Sequence, residues 1–471
     1  MNIIDQVYID GAFVTPHGSD MFDLFNPASA EVIGQVRLGD AQDTRAAIAA
    51  AKRAFGAFSR TSKAERIALL HRLGDAMQAR AADLTEAVIM EYGAPVSASA
   101  WMGDYAAASF HLAAQILEGY DFTRQIGTAR VTMEPLGVVG LITPWNANAL
   151  FICQKLAMVI ASGSTCVIKP SEMSALQTQI VTEALHEAGV PAGVFNIVNG
   201  RGDVVGAEIS ASPDIAKISF TGSTVTGRAI LRTAAETMKR VTLELGGKSP
   251  TVILDDADIA QAVPFALGVG YGNSGQACIA GTRILVPAAR LAEFEAAFKA
   301  AAETIQSGDP RDPKTAIGPM VSVRQWDRVQ SYIRKGLEEG ATLLAGGEGR
   351  PAGTENGWYV KPTIFTNVRN DMTIAREEIF GPVLVIIPYG SDAEAIAIAN
   401  DTDFGLHAYI AGTDPARIRA VSDELVAGRV LINGAAMEPL APFGGFKQSG
   451  IGRENGVFGL EAFLEPKAVM G

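Results

Sequence analysis

Three side chains far apart along the chain have the types needed for chemistry on a carbonyl. Cys278 lies in Gly275-Gln276-Ala277-Cys278-Ile279-Ala280-Gly281, where small neighbours leave a thiol open to close approach by a substrate. Glu244 stands alone in Leu243-Glu244-Leu245-Gly246-Gly247, and Asn146 ends Thr143-Pro144-Trp145-Asn146. A thiol, a carboxylate and an amide supply a nucleophile, a proton acceptor and a hydrogen-bond donor. Leu243 and Leu245 give Glu244 a partly apolar setting, which raises a carboxylate's pKa toward working pH. Cys153 and Cys166 sit in apolar helix and strand contexts and read as inert core residues. The histidines His17, His71, His111, His186 and His407 show no ligand spacing, so neither a metal site nor a histidine-based triad is expected.

These residues need elements to position them. Helices dominate the first stretch after a hairpin-like 7–14. Asp40 leads into a helix through Phe58, and Ser62-x-x-Glu65 is a capping box for a second helix that Gly93 stops. From Gly137 short apolar strands alternate with helices. The strands are expected at 138–143, 165–169, 194–198, 215–220 and 241–245, with helices near 150–161, 175–188 and 226–236 and a short one after Gly202. That rhythm predicts a parallel sheet with helices on its faces. A second α/β series starts at 251–254 and includes strands at 284–286 and 383–388 and a helix near 291–305. Residues 120–135 read as an alternating ribbon, and the tail after Arg453 ends in another strand. Both ribbons suit edges that pair with another subunit, or hairpins in solvent.

Several turns suit a ligand. Gly270-Tyr271-Gly272-Asn273-Ser274-Gly275 matches a dinucleotide fingerprint in letters, but a helix precedes it and a strand follows, the reverse of the required context. Those glycines are better read as giving access to Cys278. Phe220-Thr221-Gly222-Ser223-Thr224 follows a strand and opens a helix, so free N–H groups there can face a pyrophosphate, as can Gly200-Arg201-Gly202 with Gly206 beyond. Either is also what an ordinary βα turn looks like. Lys169-Pro170-Ser171-Glu172 ends a strand, where lysine and carboxylate can meet ribose hydroxyls or simply be solvated. A carboxylate at Glu172 repels a 2′-phosphate and favours NAD over NADP. Glu377-Glu378-Ile379-Phe380-Gly381-Pro382 offers a second acid and an aromatic to pack beside a cofactor, or a surface pair at a helix end.

Composition narrows the class. The chain has 471 residues, enough for about three structural units at ~150 residues each. Hydrophobic residues are 48% and charged ones 19%, ordinary for a folded protein. A net charge of −12 argues against general nucleic-acid binding and against attraction to anionic membranes. Three cysteines in a long chain suit a reducing compartment. No signal-peptide pattern opens the sequence, and no uncharged apolar run reaches the ~18 residues that span a bilayer. A cytoplasmic location is expected.

Taken together the motifs resemble the NAD(P)-dependent aldehyde dehydrogenase superfamily nearly end to end. The matching runs are 143–146, 169–172, 220–223, Leu243-Glu244-Leu245-Gly246-Gly247-Lys248, 275–278, 377–382 and Pro442-Phe443-Gly444-Gly445-Phe446-Lys447-Gln448-Ser449-Gly450, in the family's order. The resemblance implies an α/β fold of two Rossmann-like parallel-sheet domains plus a small β-ribbon oligomerisation element. It implies NAD binding by residues 1–118 and 137–246, catalysis by 247–450, and assembly as a homodimer or homotetramer through 119–136 and 451–471. By analogy Cys278 is the nucleophile and Glu244 the base that activates water. Asn146 and the Cys278 N–H form the oxyanion hole, and Lys155 with Glu454 helps pass protons outward.

The same resemblance assigns the cofactor to Ile142, Thr143, Pro144, Trp145, Lys169, Ser171, Glu172, Gly202, Gly206, Phe220, Gly222, Ser223, Leu245, Gly246, Glu378 and Phe380. It places Ala147, Phe151, Gln154, Ala277, Ile279, Met437 and Phe443 near the aldehyde. The implied reaction is oxidation of an aldehyde to a carboxylic acid through a Cys278 thiohemiacetal and thioester. Alternatives are acyl transfer to coenzyme A, whose enzymes generally lack the glutamate, and a catalytically silent homologue. One departure stands out: the family commonly continues Trp-Asn with Phe-Pro, where this chain has Ala147-Asn148. The lining shows no evident arginine for a substrate carboxylate, which favours a neutral aldehyde.

Overall fold

The computed structural model describes residues 2–471 and arranges the strands in two large sheets and two small ones. At the centre of the first large sheet is Val138–Ile142, buried at every residue. Thr165–Lys169 and Phe195–Ile197 run parallel to it on one side, Lys217–Thr221 and Arg240–Glu244 on the other. These are runs rich in Val, Ile, Leu and Thr because helices cover both faces. The covering helices include Asn148–Ser162, Ala175–Glu187 and Thr224–Ala235. Strand order turns back at Val138–Ile142, so the carboxyl ends of several strands open on one crevice.

Antiparallel pieces close both edges. The expected hairpin forms from Val7–Ile9 and Ala12–Val14 on one side, and Gly450–Ile451 pairs with Arg240–Glu244 on the other. Both predicted helix starts carry reciprocal caps, Asp40 with Asp43 and Ser62 with Glu65. The helix after Ser62 does not run unbroken to Gly93. It breaks at Arg80 (φ −104°, ψ 8°) into Lys63–Ala79 and Ala81–Glu91.

The second large sheet is ordered Thr342–Ala345, Thr363–Thr366, Val383–Tyr389, Arg283–Pro287, Pro250–Ile253, His407–Ala411, Arg429–Ile432, parallel except for its first strand. Residues 245–249 connect the sheets, so the carboxyl end of Arg240–Glu244 adjoins the amino end of Pro250–Ile253. The two ribbons pair with each other: Leu464–Val469 lies antiparallel to Ala129–Pro135, which also pairs with Thr123–Ile126. That outer strand is exposed at all four residues. Among the described residues no helix is long and apolar enough to cross a membrane.

Candidate active site

Cys278 is half-buried in the loop between helix Ile259–Tyr271 and strand Arg283–Pro287. The glycine-rich letters before it end a helix and turn through three left-handed residues, Asn273 (φ 55°), Ser274 (φ 57°) and Gly275 (φ 71°). A Cβ at Gly275 would lie 2.3 Å from the Gly381 carbonyl oxygen. Those glycines therefore shape the thiol loop, and the strand–turn–helix setting of a dinucleotide fingerprint is absent. Gln276 pins one side of the loop: its Nε2 donates to Pro319 O (3.2 Å) and its Oε1 accepts from Val321 N (3.0 Å). On the other side the Tyr409 hydroxyl donates to Ile279 O at 2.7 Å. Asn146 joins the same loop, its Nδ2 donating to Gln276 O at 3.0 Å.

Two carboxylates face the thiol. Burial, then the charges of Glu378 and Glu244, push the Cys278 pKa up to about 12, so the thiol is protonated at rest. Glu244 ends strand Arg240–Glu244 at 2% exposure, and neither of its oxygens has a hydrogen-bond partner. Burial, with the nearby charge of Glu454 second, holds its pKa well above the ordinary range, while Lys155, Arg453 and Arg429 oppose the rise. A carboxylate buried without donors is costly as an anion and is therefore ready to take a proton. Glu454 is settled instead: Lys155 Nζ donates to its Oε1, as does Ser219 Oγ at 3.2 Å.

The glycine pair after Glu244 explains itself here. A Cβ at Gly246 would sit 2.7 Å from Glu378 Oε2, and one at Gly247 would sit 2.3 Å from the Cys278 carbonyl oxygen. Gly247 N donates to Glu378 Oε1 at 2.9 Å. Thus the link between the two sheets lets the nucleophile's backbone and the half-buried Glu378 approach together.

The residues expected to hold a cofactor gather at the crevice. Ile142, Lys169 and Phe220 lie at or near the carboxyl ends of their strands, and Leu245 follows directly on Glu244. Thr143 N continues the pairing to Lys169 O at 3.0 Å. A Cβ at Gly206 would be 3.8 Å from Lys169 Cδ and 3.9 Å from Ile142 Cδ1, which brings the turn Gly202–Gly206 onto those strands. Lys169 is buried, with Nζ on Pro170 O (2.5 Å) and Glu172 Oε2 (3.3 Å). Ser171 caps the turn Glu172–Ser174. Ser223 caps helix Thr224–Ala235, and a Cβ at Gly222 would lie 2.5 Å from the Phe220 ring, so that ring leaves no room for a side chain there. Trp145, which follows Pro144, meets the Phe380 ring edge-to-face at 5.4 Å.

Ala147 and Asn148 have a structural consequence that sequence alone does not show. Helix Asn148–Ser162 still starts there without proline. Asn148 is fully buried, accepts from Thr143 Oγ1 (2.9 Å) and donates to Thr178 Oγ1 (2.9 Å), tying the crevice strand to the next helix. Ala147 packs among Tyr92, Met102 and Leu150, with Phe151 and Trp145 at its margin. Gln154 donates to Asn455. Phe443 forms a backbone bridge with Glu454 (2.8 and 2.7 Å), Ala277 and Ile279 flank the thiol, and Met437 is 42% exposed.

The sequence reading missed Tyr409, Tyr105 and Arg429. Arg429 lies beside two of the residues expected near the aldehyde: its guanidinium is 5.2 Å from the Phe443 ring centroid and touches Met437. It starts strand Arg429–Ile432, which pairs with His407–Ala411, and nothing local in the sequence signals that pairing. Cys153 and Cys166 are fully buried, and burial pushes both thiols far up. Among the described residues no group of three or more His, Cys, Asp or Glu could hold a metal ion.

Comparison with known proteins matches residues 13–469 to the aldehyde dehydrogenase family. A 3-succinoylsemialdehyde-pyridine dehydrogenase from a Pseudomonas species is 46% identical over 99% of this chain and 98% of its own. Among solved structures, a mutant of aldehyde dehydrogenase C from Pseudomonas syringae, in complex with NAD+ and octanal, is 44% identical. It superposes with a TM-score of 0.98 over 99% of this chain and 96% of its own. An NAD+ complex of an aldehyde dehydrogenase from Bacillus cereus is 38% identical, with a TM-score of 0.95 over 99% and 96% of the two chains.

Proposed function

The chain belongs to the aldehyde dehydrogenase family, and from that premise we propose that it oxidises an aldehyde to a carboxylic acid with NAD. The observation that carries this reading is the convergence on Cys278 of one unpartnered buried carboxylate, Glu244, and one amide, Asn146. Cys278 Sγ attacks the carbonyl carbon to give a thiohemiacetal. Asn146 Nδ2 has two N–H groups and spends one on Gln276 O, leaving the other for the developing oxyanion beside the Cys278 N–H. The thiol must lose its proton as it attacks, and Glu244 has free oxygens to receive it. Once the adduct is oxidised to a thioester, Glu244 removes a proton from the water that releases the acid. Lys155 and Glu454 carry protons away from the site.

The crevice residues fit a dinucleotide. Ser223 opens a twelve-residue helix whose N–H groups suit a pyrophosphate, and Thr221 Oγ1 is buried there without a partner. Lys169 and Glu172 would hold the adenine ribose and Glu378 the nicotinamide ribose. Bound NAD supplies the hydride acceptor. The Glu172 carboxylate disfavours NADP. Residues 1–118 and 137–246 bind the cofactor and 247–450 carry catalysis, although Gly450–Ile451 joins the first sheet. Residues 119–136 and 451–471 serve assembly of a homodimer or homotetramer in the cytoplasm, supported by the exposed outer strand and three unpaired cysteines. Purified protein with an aldehyde panel and NAD is expected to yield NADH and free acid. NADH formation only when coenzyme A is present, with thioester as product, would replace this reading with acyl transfer. No NADH from any aldehyde would end it.

A further inference from the structure

We infer that Arg429 is a specificity-determining residue that selects aldehydes carrying an acceptor oxygen, above all a carboxylate, at the end remote from the aldehyde. This rests on the reading that Met437 and Phe443 line the substrate path to Cys278. Arg429 is half-buried. Its Nε donates to Pro442 O (2.8 Å) and its Nη2 to Ala441 O (2.5 Å), so the planar fork is fixed on the loop that bears Met437 and Phe443. Nη1 reaches only the Met437 sulfur, at 4.0 Å. Among the described residues no carboxylate lies within ion-pair range of this guanidinium, whereas the half-buried Arg80 and Arg417 both have carboxylate partners.

The titratable groups that share its field are Tyr105, Glu244, Glu438 and His407. Glu244 is buried and its oxygens meet no donor, the Arg429 guanidinium included. Glu438 is exposed and accepts from Leu440 N of its own loop (3.0 Å), so solvent screens it. Tyr105 stacks on Trp101 at 5.3 Å and adds an aromatic wall near the same guanidinium. An unpaired cation that is already immobilised costs little further ordering when an acceptor binds, and arginine's free N–H pair suits a carboxylate oxygen. A charge-assisted hydrogen bond of this kind changes affinity by about ten- to a hundredfold.

The test compares n-alkanals, ω-oxo acids and keto-aldehydes of four to seven carbons on the parent and on Arg429→Met and Arg429→Lys. In the parent, kcat/KM for an oxo acid or keto-aldehyde of the fitting length is expected to exceed that of the matched alkanal by tenfold or more. An advantage for both acceptor classes identifies hydrogen bonding, and one confined to oxo acids identifies charge pairing. Measured on the high-pH plateau of each kcat profile, so that any shift of Glu244 does not enter, Arg429→Met is expected to erase the advantage through KM, leaving alkanal turnover within about threefold, and Arg429→Lys to restore part of it for oxo acids. Alkanal turnover also reports that the variant folds. Equal loss on all substrates would make Arg429 a loop anchor and overturn the inference, as would a parent that never favours the acceptor-bearing series. A parent inactive on every aldehyde would instead sink the underlying reading.

Discussion

Glu244 and Glu454 are both buried beside the same crevice, yet their surroundings are opposite. Glu454 has an ammonium and a hydroxyl on one oxygen. Glu244 has no donor on either oxygen and feels the charge of Glu454 as well. One carboxylate is paired by its neighbours, and the other stands without a donor, its pKa raised first by burial. Burial alone does not make a base; burial without a partner does.

The largest expected effect comes from removing the unpartnered group. Glu244→Gln should lower steady-state acid production by roughly a thousandfold, while a slowed first burst of NADH still precedes it in stopped-flow traces, because thioester hydrolysis suffers more than thiol attack. It should also stabilise the fold. A folded-state pKa raised above the unfolded value means that ionising Glu244 costs stability as pH rises. The Tm gain of the variant should therefore be larger at pH 8 than at pH 5. A variant that melts lower at both pH values would show that Glu244 has partners after all.

Asn146→Ala is next, with a loss of about a hundredfold in kcat for one oxyanion donor and little change in NAD affinity, read by fluorescence titration. The paired carboxylate then sharpens the contrast through pH. Glu454→Gln removes the charge that raises Glu244 and leaves Lys155 uncompensated, and both changes lower the Glu244 pKa. The rising limb of the kcat profile should move to lower pH. Lys155→Met should move it to higher pH. Limbs that stay in place in both variants would uncouple the two carboxylates.

The smallest effect belongs to the cysteines away from the site. Cys153→Ala and Cys166→Ala should leave kcat unchanged and cost about 1 kcal/mol in denaturant melts, the price of a small cavity. Slow labelling by iodoacetamide is expected at both while they stay folded.

Much of this arrangement is legible in the chain because it is local. Strand Thr165–Lys169 is a short apolar run between turns, and the caps at Asp40 and Ser62 depend on residues three positions away. The break at Arg80 is not legible, since the helical pattern continues through it. Neither are the roles of Tyr409 and Arg429. Each depends on the parallel pairing of His407–Ala411 with its neighbours, Pro250–Ile253 on one side and Arg429–Ile432 on the other. Contacts at that sequence separation leave no periodic trace. The Ala147-Asn148 substitution is visible as a departure, but the hydrogen bonds of Asn148 to Thr143 and Thr178 come only with the folded helices.

Substrate is expected to become an acyl group on Cys278, which Glu244 then releases. Rapid-quench intact-mass and peptide analysis of the Glu244→Gln variant, mixed with aldehyde and NAD, measures this directly. The expected result is a mass increase equal to the acyl group, confined to the peptide containing Cys278 and appearing with the NADH burst. NADH formation with Cys278 unmodified throughout, or an acyl group found on another residue, would contradict it.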